Sequence, residues 1–339
     1  MKPSIQLRHL VNKLNRELKV AHKKTLKQIK NDTIKSQSIH LISQLDLNHT
    51  TNNIFLDDKI KHYIINNSNY SKQLYMERKI KITITDEEPI SDKYFYYILD
   101  WLNFILPYAD KSCIKTLHIN IFLTPFKKLL PEKSEIIGPY HVNSGSTTSC
   151  TISNSTILIW RKEEWFKVLM HESFHYFKLD FSHSHDSSFM KNLFNIDSDF
   201  LMNEAYCETW ATILHTIFYA FYNNETIWNL LQKERMHAIE QTIHILQHMD
   251  LTYDDIISPQ YTNKYKEHTN VFCYYIAKMI LLFHINQFIK WCPIDKYLNC
   301  KKPLYLFFKK YYNNPTLLNE IHNIKQVPYS LKMCYLDIL

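Results

Sequence analysis

Glycine is almost absent from this chain: 2 of its 339 residues are glycine, and both lie within residues 138–145. Long uninterrupted apolar runs are absent too. The N-terminal stretch lacks the apolar core that a secretory signal peptide needs. The most apolar stretch, residues 271–289, is interrupted by Lys278, His284, Asn286 and Gln287. It therefore predicts a buried helix and excludes a membrane-spanning one.

The cysteines form no C-x-x-C pair. There are seven of them, an odd number, and they are scattered along the chain. This arrangement excludes a dense disulfide framework and predicts free thiols in a reducing compartment. We therefore expect a cytoplasmic protein with no transmembrane segment.

Basic charge is concentrated at the N-terminus. The chain has 40 basic and 33 acidic residues. Residues 1–30 contain nine of the basic residues and a single acidic residue, Glu17. Leu7, Leu10, Leu14 and Leu18 recur there at helical spacing. The pattern predicts a docked helix with a solvated basic face. The alternative is that this face contacts nucleic acid or an anionic membrane surface.

The pattern of apolar residues changes halfway along the chain. Period-two alternation predicts strands over residues 79–85 and 116–123, and the apolar run at residues 156–160 predicts a buried strand. The second half is almost entirely helical in period. The predicted fold class is therefore α+β, with a small mixed β-sheet and a motif helix in the first half. A mostly helical second half follows, and a basic helical N-terminal arm precedes the sheet.

Individual segments can be assigned more finely. Helices are predicted over residues 92–106, 163–177, 201–222, 225–249 and 269–290, with a shorter one at 125–130. Residues 140–153 are predicted to be extended and to end in a hairpin turn at Ser153-Asn154. We expect three parts: a basic arm and connecting region with short helices (1–75), a sheet subdomain with the motif helix (76–180), and a helical subdomain (181–339).

The most informative motif is His171-Glu172-Ser173-Phe174-His175. Two histidines four residues apart on a helix share one face, one turn from each other. That spacing lets both imidazoles bind a single Zn²⁺, while Glu172 can act as a general base. The alternative is two ordinary buried histidines on an amphipathic helix.

A second motif follows on the next long helical stretch, where Asn203-Glu204 is joined by Glu208 one turn later. Together the two motifs resemble those of the gluzincins, the thermolysin-like zinc metallopeptidases. In that family HExxH is followed by a helix that carries Asn-Glu and then another acid. The likeness is close over about forty residues and extends loosely to the order of the sheet before them.

The resemblance implies a zincin-like fold with one catalytic Zn²⁺ per chain. The implied zinc ligands are His171, His175 and Glu204. Glu172 would be the general base, and Glu208, with Asn203 nearby, would orient His171. Three protein ligands leave a coordination position for water, and zinc lowers the pKa of such a water toward ~7. A carboxylate as third ligand is typical of amide hydrolysis.

Other metal sites fit the sequence less well. A metzincin site would need a glycine and a histidine where this chain has Lys178 and Phe181. His183, His185 and Asp186 form a second polar cluster. We expect a solvated turn there, with a supplementary metal or substrate contact as the alternative.

The two glycines bracket the segment Gly138-Pro-Tyr-His-Val-Asn-Ser-Gly145. Their clustering predicts backbone conformations that other residues cannot take. Two interpretations stay open: a tight turn with a bulge, or an edge strand to which a peptide substrate adds as a further strand. In the second interpretation the substrate-binding residues are Gly138, His141, Asn143, Ser144 and Gly145.

A peptidase also needs a hydrogen-bond donor for the oxyanion. The resemblance implies a tyrosine or histidine from the helical half. Tyr274 and His268, near the start of a predicted helix, are the favoured candidates. The other candidates are Tyr253, Tyr261, Tyr265 and Tyr275.

The motifs thus predict a zinc metallopeptidase that hydrolyses a peptide or protein substrate. The alternative is an inactive zincin scaffold that acts as a structural or binding protein through its basic arm. The abundance of Asn, Ile, Lys, Tyr and Phe resembles the composition of proteins from large DNA viruses. In that case the protein would act in the host cytoplasm or in the virion.

Overall fold

The computed structural model describes residues 2–30, 35–39, 53–76, 79–113, 116–151, 155–181, 186–293, 297–300, 302–325 and 328–338. Contacts along the chain divide it into two compact units. The sheet unit consists of Asn12–Lys127, Asn143–Leu179 and Asp337–Leu339. The helical unit consists of Met1–Val11, Lys128–Val142 and Asp180–Leu336.

The sheet unit is built on one mixed sheet. Its strands are β1 (Lys35–Ile39), β2 (Tyr70–Met76), β3 (Ile80–Asp86), β4 (Leu117–Phe122), β5 (Gly145–Thr147) and β6 (Ser155–Ile159). They lie in the order β1-β2-β3-β4-β6-β5. Strands β3, β4 and β6 are parallel, whereas β1, β2 and β5 run antiparallel to their neighbours. The three predicted strands are confirmed as β3, β4 and β6.

Helices make up most of the remaining described chain. In order they are α1 (Ile5–Lys30), α2 (Asp58–Asn67), α3 (Lys93–Ile105), α4 (Pro139–Val142), α5 (Trp165–Tyr176), α6 (Asp186–Lys191), α7 (Met202–Asn223), α8 (Ile227–His248), α9 (Tyr253–Ile257), a π-helix (Phe272–Ala277), α10 (Lys278–Phe283), α11 (Ile285–Trp291), α12 (Tyr305–Tyr311) and α13 (Pro315–His322). The fold is α+β, with the sheet in the first half of the chain and a helical second half.

Helices cover the sheet. On one side, Ile60 and Ile64 of α2 pack in a cluster with Phe122 of β4 and Leu158 of β6. Because side chains alternate along a strand, the residues on either side of Leu158 face the opposite way. Helix α5 packs against β5 and β6. It is joined to α3 by the indole N–H of Trp101, which donates to a serine of α5 at 3.0 Å.

The N-terminal arm is a docked helix, as predicted. Leu10, Leu14 and Leu18 of α1 are at most 6% exposed. His22 Nδ1 lies 2.7 Å from a carboxylate oxygen of Asp100 on α3. The region predicted to connect this arm to the sheet instead contains two strands, β1 and β2, besides the short helix α2.

The helix predicted over residues 269–290 is interrupted. It consists of the π-helix, α10 and α11, with a break at His284, whose backbone leaves helical geometry at φ −98° and ψ 34°. Glu267 accepts the N–H of Phe272 at 2.7 Å and so fixes the start of the π-helix. No single described helix is long and apolar enough to cross a bilayer. Two consecutive helical segments are long and apolar enough when taken together, by length and composition alone: Phe272–Phe283 and Ile285–Trp291, which are bent by 90° relative to each other.

The short helix predicted at residues 125–130 is wrong, because that segment is irregular. Carbonyls of this segment accept hydrogen bonds from residues distant in sequence. The carbonyl of Lys127 accepts from the guanidinium of Arg161, and the carbonyl of Lys128 accepts from the N–H of Leu331. The predicted extended segment 140–153 is partly helical, since it contains the end of α4 before β5. The predicted turn at Ser153-Asn154 and the histidines His183 and His185 lie outside the described residues.

Cys113 and Cys150 form a disulfide, which contradicts the prediction that all seven cysteines are free. Their separation of 37 residues carries no recognisable signal in the sequence. They meet because β4 and β6 pair from their first residues, Leu117 opposite Ser155. The other five cysteines form no disulfide with a described residue and are buried. The cysteine pattern therefore no longer supports a reducing compartment.

Candidate metal centre

Helix α5 carries the histidine motif and is fixed at both ends. It begins after Glu164, whose backbone is left-handed with φ 59°. The indole N–H of Trp165 donates to the carbonyl of Ile338 at 2.8 Å, and the hydroxyl of Tyr176 donates to carbonyls just before β4. Residues 165–174 are all buried. The motif thus stands on a rigid part of the core.

His171 and His175 lie one turn apart on α5, and their Nε2 atoms are 3.1 Å apart. Their ring centroids are 4.8 Å apart, with the planes at 70°. A tetrahedral zinc ion with Zn–N bonds of 2.0–2.1 Å needs its nitrogen ligands about 3.3 Å apart. The two imidazoles are therefore arranged much as two ligands of one ion would be.

Glu204 offers a third ligand from the first turn of α7, where the helix dipole favours the ionised carboxylate. His171, His175 and Glu204 each provide one ligand atom, and these atoms lie within 4.8 Å of one another, so the group could hold a metal ion. The side-chain amide of Asn203 lies 3.4 Å from a carboxylate oxygen of Glu204. Glu208, one turn further on α7, is 3% exposed, and its role as an orienting acid stays a prediction.

The carboxylate of Glu172 lies directly beside strand β5. A Cβ atom at Gly145 would stand 2.9 Å from both Cγ and Oε1 of Glu172, and 2.7 Å from Cγ1 of Val168. Real Cβ atoms essentially never come this close to their neighbours. Gly145 is therefore needed so that the strand can approach the helix. Neither this glycine nor Gly138 has a positive φ, so the prediction of unusual glycine backbone conformations is wrong.

Strand β5 is an edge of the sheet. It pairs with β6 on one side, and none of the described strands pairs with its other side. Just before it, the carbonyl of Ser144 accepts the N–H of Trp160 and that of Asn143 accepts from Arg161. The side-chain oxygens of Asn143 and Ser144 are buried and make no hydrogen bond to any described residue. The end of the glycine segment is thus part of an edge strand, and the addition of a peptide substrate to it stays a prediction.

The beginning of that segment lies in the helical unit, near His268. The N–H of Gly138 donates to Nδ1 of His141 at 2.9 Å, which closes the turn of α4. The N–H of His268 donates to the carbonyl of Ile137 at 3.0 Å. A Cβ at Gly138 would lie 3.6 Å from Cβ of His268, an ordinary contact. The tight-turn interpretation therefore applies here, and His141 has one ring nitrogen committed to its own turn.

Glu267 fixes the residues around His268. Its carboxyl accepts hydrogen bonds from Ser198 at 2.5 Å, Tyr265 at 2.9 Å and the N–H of Phe272 at 2.7 Å. Burial raises the pKa of Glu267 to about 7, against the lowering effect of these three donors. The carboxyl therefore fixes the start of the π-helix. His268, the next residue after Glu267, donates its N–H to the carbonyl of Ile137.

Tyr274 is a residue of this π-helix. It is 9% exposed and packs in a cluster with Ile137, Val142 and Val271. Most other tyrosine candidates are committed elsewhere. Tyr253 donates to the carbonyl of Tyr312, Tyr265 to Glu267 and Tyr275 to the carbonyl of Leu331, while Tyr261 is 63% exposed. Tyr274 and His268 stay the predicted oxyanion donors.

Two potential ligands escaped the sequence reasoning. Asp180 and Cys207 form a second group with His175 that meets the same distance limit. Cys207 follows Glu204 by three residues on α7, so its place on the same helix face was visible in the spacing. Asp180 follows the end of α5 and gave no comparable signal. Both offer alternative donors for an ion held by His175.

A third group, His215, Glu234 and Cys334, is also close enough to hold an ion. All three residues are at most 1% exposed. Glu234 already accepts the N–H groups of Tyr335 and Leu336 at 2.9 and 3.0 Å. Because its three side chains are buried, no substrate can reach this group. It is therefore not a candidate for a catalytic site, unlike the histidine motif.

Compared with known proteins, the chain matches no family model, no curated protein and no solved structure. The assignment of a function therefore depends on the motif and on the geometry around it.

Proposed function

We propose that this protein is a zinc metallopeptidase of the gluzincin type. The observation that carries the proposal is the arrangement on α5. The Nε2 atoms of His171 and His175 are 3.1 Å apart, and the carboxylate of Glu172 lies against the edge strand at Gly145. A metal-binding pair, a base and a peptide-binding edge are the parts that hydrolysis of a peptide bond requires.

The donor set fits zinc. Two imidazoles and a carboxylate, with a position left for water, form the His₂Glu set typical of zinc peptidases. His171, His175 and Glu204 would hold the ion. When bound, zinc acidifies water and polarises the carbonyl of the substrate.

The protein's own residues would supply the remaining steps. The side of β5 that pairs with no described strand would align the substrate by strand addition, so that its backbone runs past Glu172. Glu172 would take a proton from the attacking water and deliver it to the leaving amine. Tyr274 or His268 would donate a hydrogen bond to the oxyanion.

Zinc content tests the first part of this proposal. We expect the purified full-length chain to hold one zinc ion, measured by mass spectrometry of the metal. His171→Ala and Glu204→Ala should lose it. His215→Gln, which alters the third group, is the control and should keep it. If both site variants keep zinc and the control loses it, the ion is bound by the third group and the assignment is wrong.

The second candidate function is a binding protein on a zincin-like scaffold. The exposed basic residues of α1 favour it. Deleting the arm is a poor test, because Leu10, Leu14 and Leu18 are buried and their removal would expose the core. Substituting the exposed lysines alone keeps the fold. Hydrolysis that persists in a charge-neutralised arm identifies an enzyme. A zinc-free chain that does not hydrolyse peptides but binds nucleic acid in a salt-sensitive way identifies a binding protein.

A further inference from the structure

Helix α1 presents a single basic stripe to solvent. At 100° per residue, Arg16, Lys19, Lys23, Lys27 and Lys30 fall within an arc of about 80°. All five are exposed. From the first to the last they extend over about 21 Å at 1.5 Å per residue. We call these five residues the basic stripe.

The opposite face of the helix is anchored, so the stripe has a fixed orientation within the sheet unit. Leu14, Leu18 and Ala21 are at most 3% exposed. The side-chain amide of Asn103 on α3 donates to Thr25 at 2.9 Å and to Gln28 at 2.8 Å. These contacts cover the length of the stripe. Its cations are therefore preorganised along one line.

No described acid neutralises the stripe. The acid nearest in sequence, Glu17, accepts from the hydroxyl of Tyr108 at 2.5 Å and lies 4.0 Å from Lys13. None of the five stripe residues forms an ion pair within the described parts of the chain. Successive residues of the stripe are about 4.5–6 Å apart along the helix axis. Because this is less than a Debye length of about 10 Å, their charges add to a strong local positive potential.

Apolar side chains flank the stripe on both sides. Val20 is 68% exposed and Leu26 is 51% exposed, and each lies about 60° from the middle of the stripe. No aromatic residue lies on this face of α1, although aromatic side chains are what single-stranded nucleic acid stacks on. Exposed aliphatic residues beside lysines and arginines are typical of helices that lie on a membrane surface.

We infer that the basic stripe binds the surface of an anionic lipid bilayer. The five cations contact the headgroup phosphates and carboxylates, while Val20 and Leu26 reach the boundary between headgroups and acyl chains. Binding of this kind is peripheral and reversible, because one helix face buries little apolar area. It requires neither the metal site nor catalysis.

Co-sedimentation of the full-length chain with vesicles tests this inference. We expect binding to phosphatidylcholine vesicles that contain about 30% phosphatidylserine, and much weaker binding to pure phosphatidylcholine. Raising the salt concentration from about 0.1 M to about 0.5 M should release the protein, since the interaction is screened. Equal binding to both kinds of vesicle overturns the inference.

Charge variants locate the binding surface. The triple variant Lys19→Gln, Lys23→Gln and Lys27→Gln should bind the anionic vesicles about 100-fold more weakly, as expected for three basic residues at the surface. The control is Lys59→Gln, Lys93→Gln and Lys309→Gln, which removes the same charge from exposed lysines on other elements. Equal loss in both variants would show a nonspecific charge effect and overturn the inference.

An apolar variant separates a bilayer from nucleic acid. Val20→Gln with Leu26→Gln keeps every charge and should weaken vesicle binding about tenfold through lost apolar burial. The same variant should leave any binding to a DNA duplex unchanged, because that binding depends on phosphate contacts. If the native chain binds duplex or single-stranded DNA but not the anionic vesicles, the partner is nucleic acid and the inference is wrong.

Discussion

Gly145 of β5 packs directly against Glu172 and Val168 of α5. The absence of a side chain at Gly145 lets β5 lie against the carboxylate of Glu172. A strand at this distance brings a substrate backbone close to the base without a separate loop. The chain retains glycine here although it has one other in 339 residues.

Gly145→Ala should therefore damage the site. The added methyl group would stand 2.7 Å from Val168 and 2.9 Å from Glu172, so helix or strand must shift. We expect a loss of about 1–3 kcal/mol in the free energy of unfolding, as for other overpacked sites. Hydrolysis should fall while zinc is retained. Urea denaturation and peptide cleavage measure the two effects.

Gly138→Ala is the matched control. Its Cβ would meet its nearest neighbour at 3.6 Å, and its φ is not positive. Stability should stay the same or rise by up to about 1 kcal/mol, because the unfolded chain loses freedom. If both alanine variants behave alike, close packing at Gly145 is not what the site requires.

Adjacent tyrosines allow a sharp test of the oxyanion donor. Tyr274→Phe should lower kcat by about 10²–10³, with KM little changed, if its hydroxyl stabilises the oxyanion. Tyr275→Phe removes a hydroxyl that donates to the carbonyl of Leu331 at 2.7 Å. It should cost about 1–3 kcal/mol of stability and leave kcat unchanged. An unchanged kcat in Tyr274→Phe would assign the role to His268.

Single residues were predictable from sequence when their role depends on spacing along one helix. The spacing of His171 and His175 predicts two metal ligands one turn apart, and the structure places them close enough to Glu204 to hold an ion. The role of Glu172 as a base stays a prediction. The contact of Gly145 with Glu172 was not predictable, because it joins a strand and a helix that are distant in sequence. The clustering of the two glycines predicts an unusual backbone conformation, which Gly145 does not adopt.

The C-terminal segment, residues 328–336, is an element without regular structure that is held by polar contacts. Carbonyls of this segment accept hydrogen bonds from Gln241, Tyr275 and Lys278. Glu234 of α8 accepts the N–H groups of Tyr335 and Leu336. The segment thus depends on a buried carboxyl group for its position.

Burial raises the pKa of Glu234 from 4.5 to about 7, although the two N–H donors and Lys278 lower it. The folded state therefore binds more protons than the unfolded state between these values. The contribution of this group to stability is present at low pH and declines as pH rises from about 4.5 to about 7, by about 3 kcal/mol.

Glu234→Gln removes this titration. From pH 5 to pH 8 the native chain should lose stability relative to the variant, and above pH 8 the difference should be constant. Urea denaturation of both proteins across this range measures the effect. Parallel stability profiles would show that Glu234 ionises normally in the folded protein.

Regular elements were predictable where the apolar period is clear. Alternation predicts strands β3 and β4, a short apolar run predicts β6, and helical repeats predict α5, α7 and α8. The π-helix and the break at His284 could not be predicted, because no proline or glycine marks them. Strands β1 and β2 were missed because their sequences are polar, with Lys72 and Gln73 in the middle of β2.

For the whole molecule, the apolar period predicted the class of fold, and the distribution of lysine and arginine along the chain predicted the position of its charge. The α+β arrangement and the docked basic helix are confirmed. The disulfide between Cys113 and Cys150 was not foreseen, because it follows from the pairing of β4 with β6.

Cleavage of a peptide library by the zinc-loaded full-length chain, compared with Glu172→Gln, tests the central claim most directly. We expect the native chain to cut peptides and the variant to be slower by about 10²–10⁴, the usual contribution of a general base. Both proteins should hold one zinc ion. Equal rates for the two proteins, or no cleavage by a native chain that holds zinc, would contradict the proposal of a peptidase.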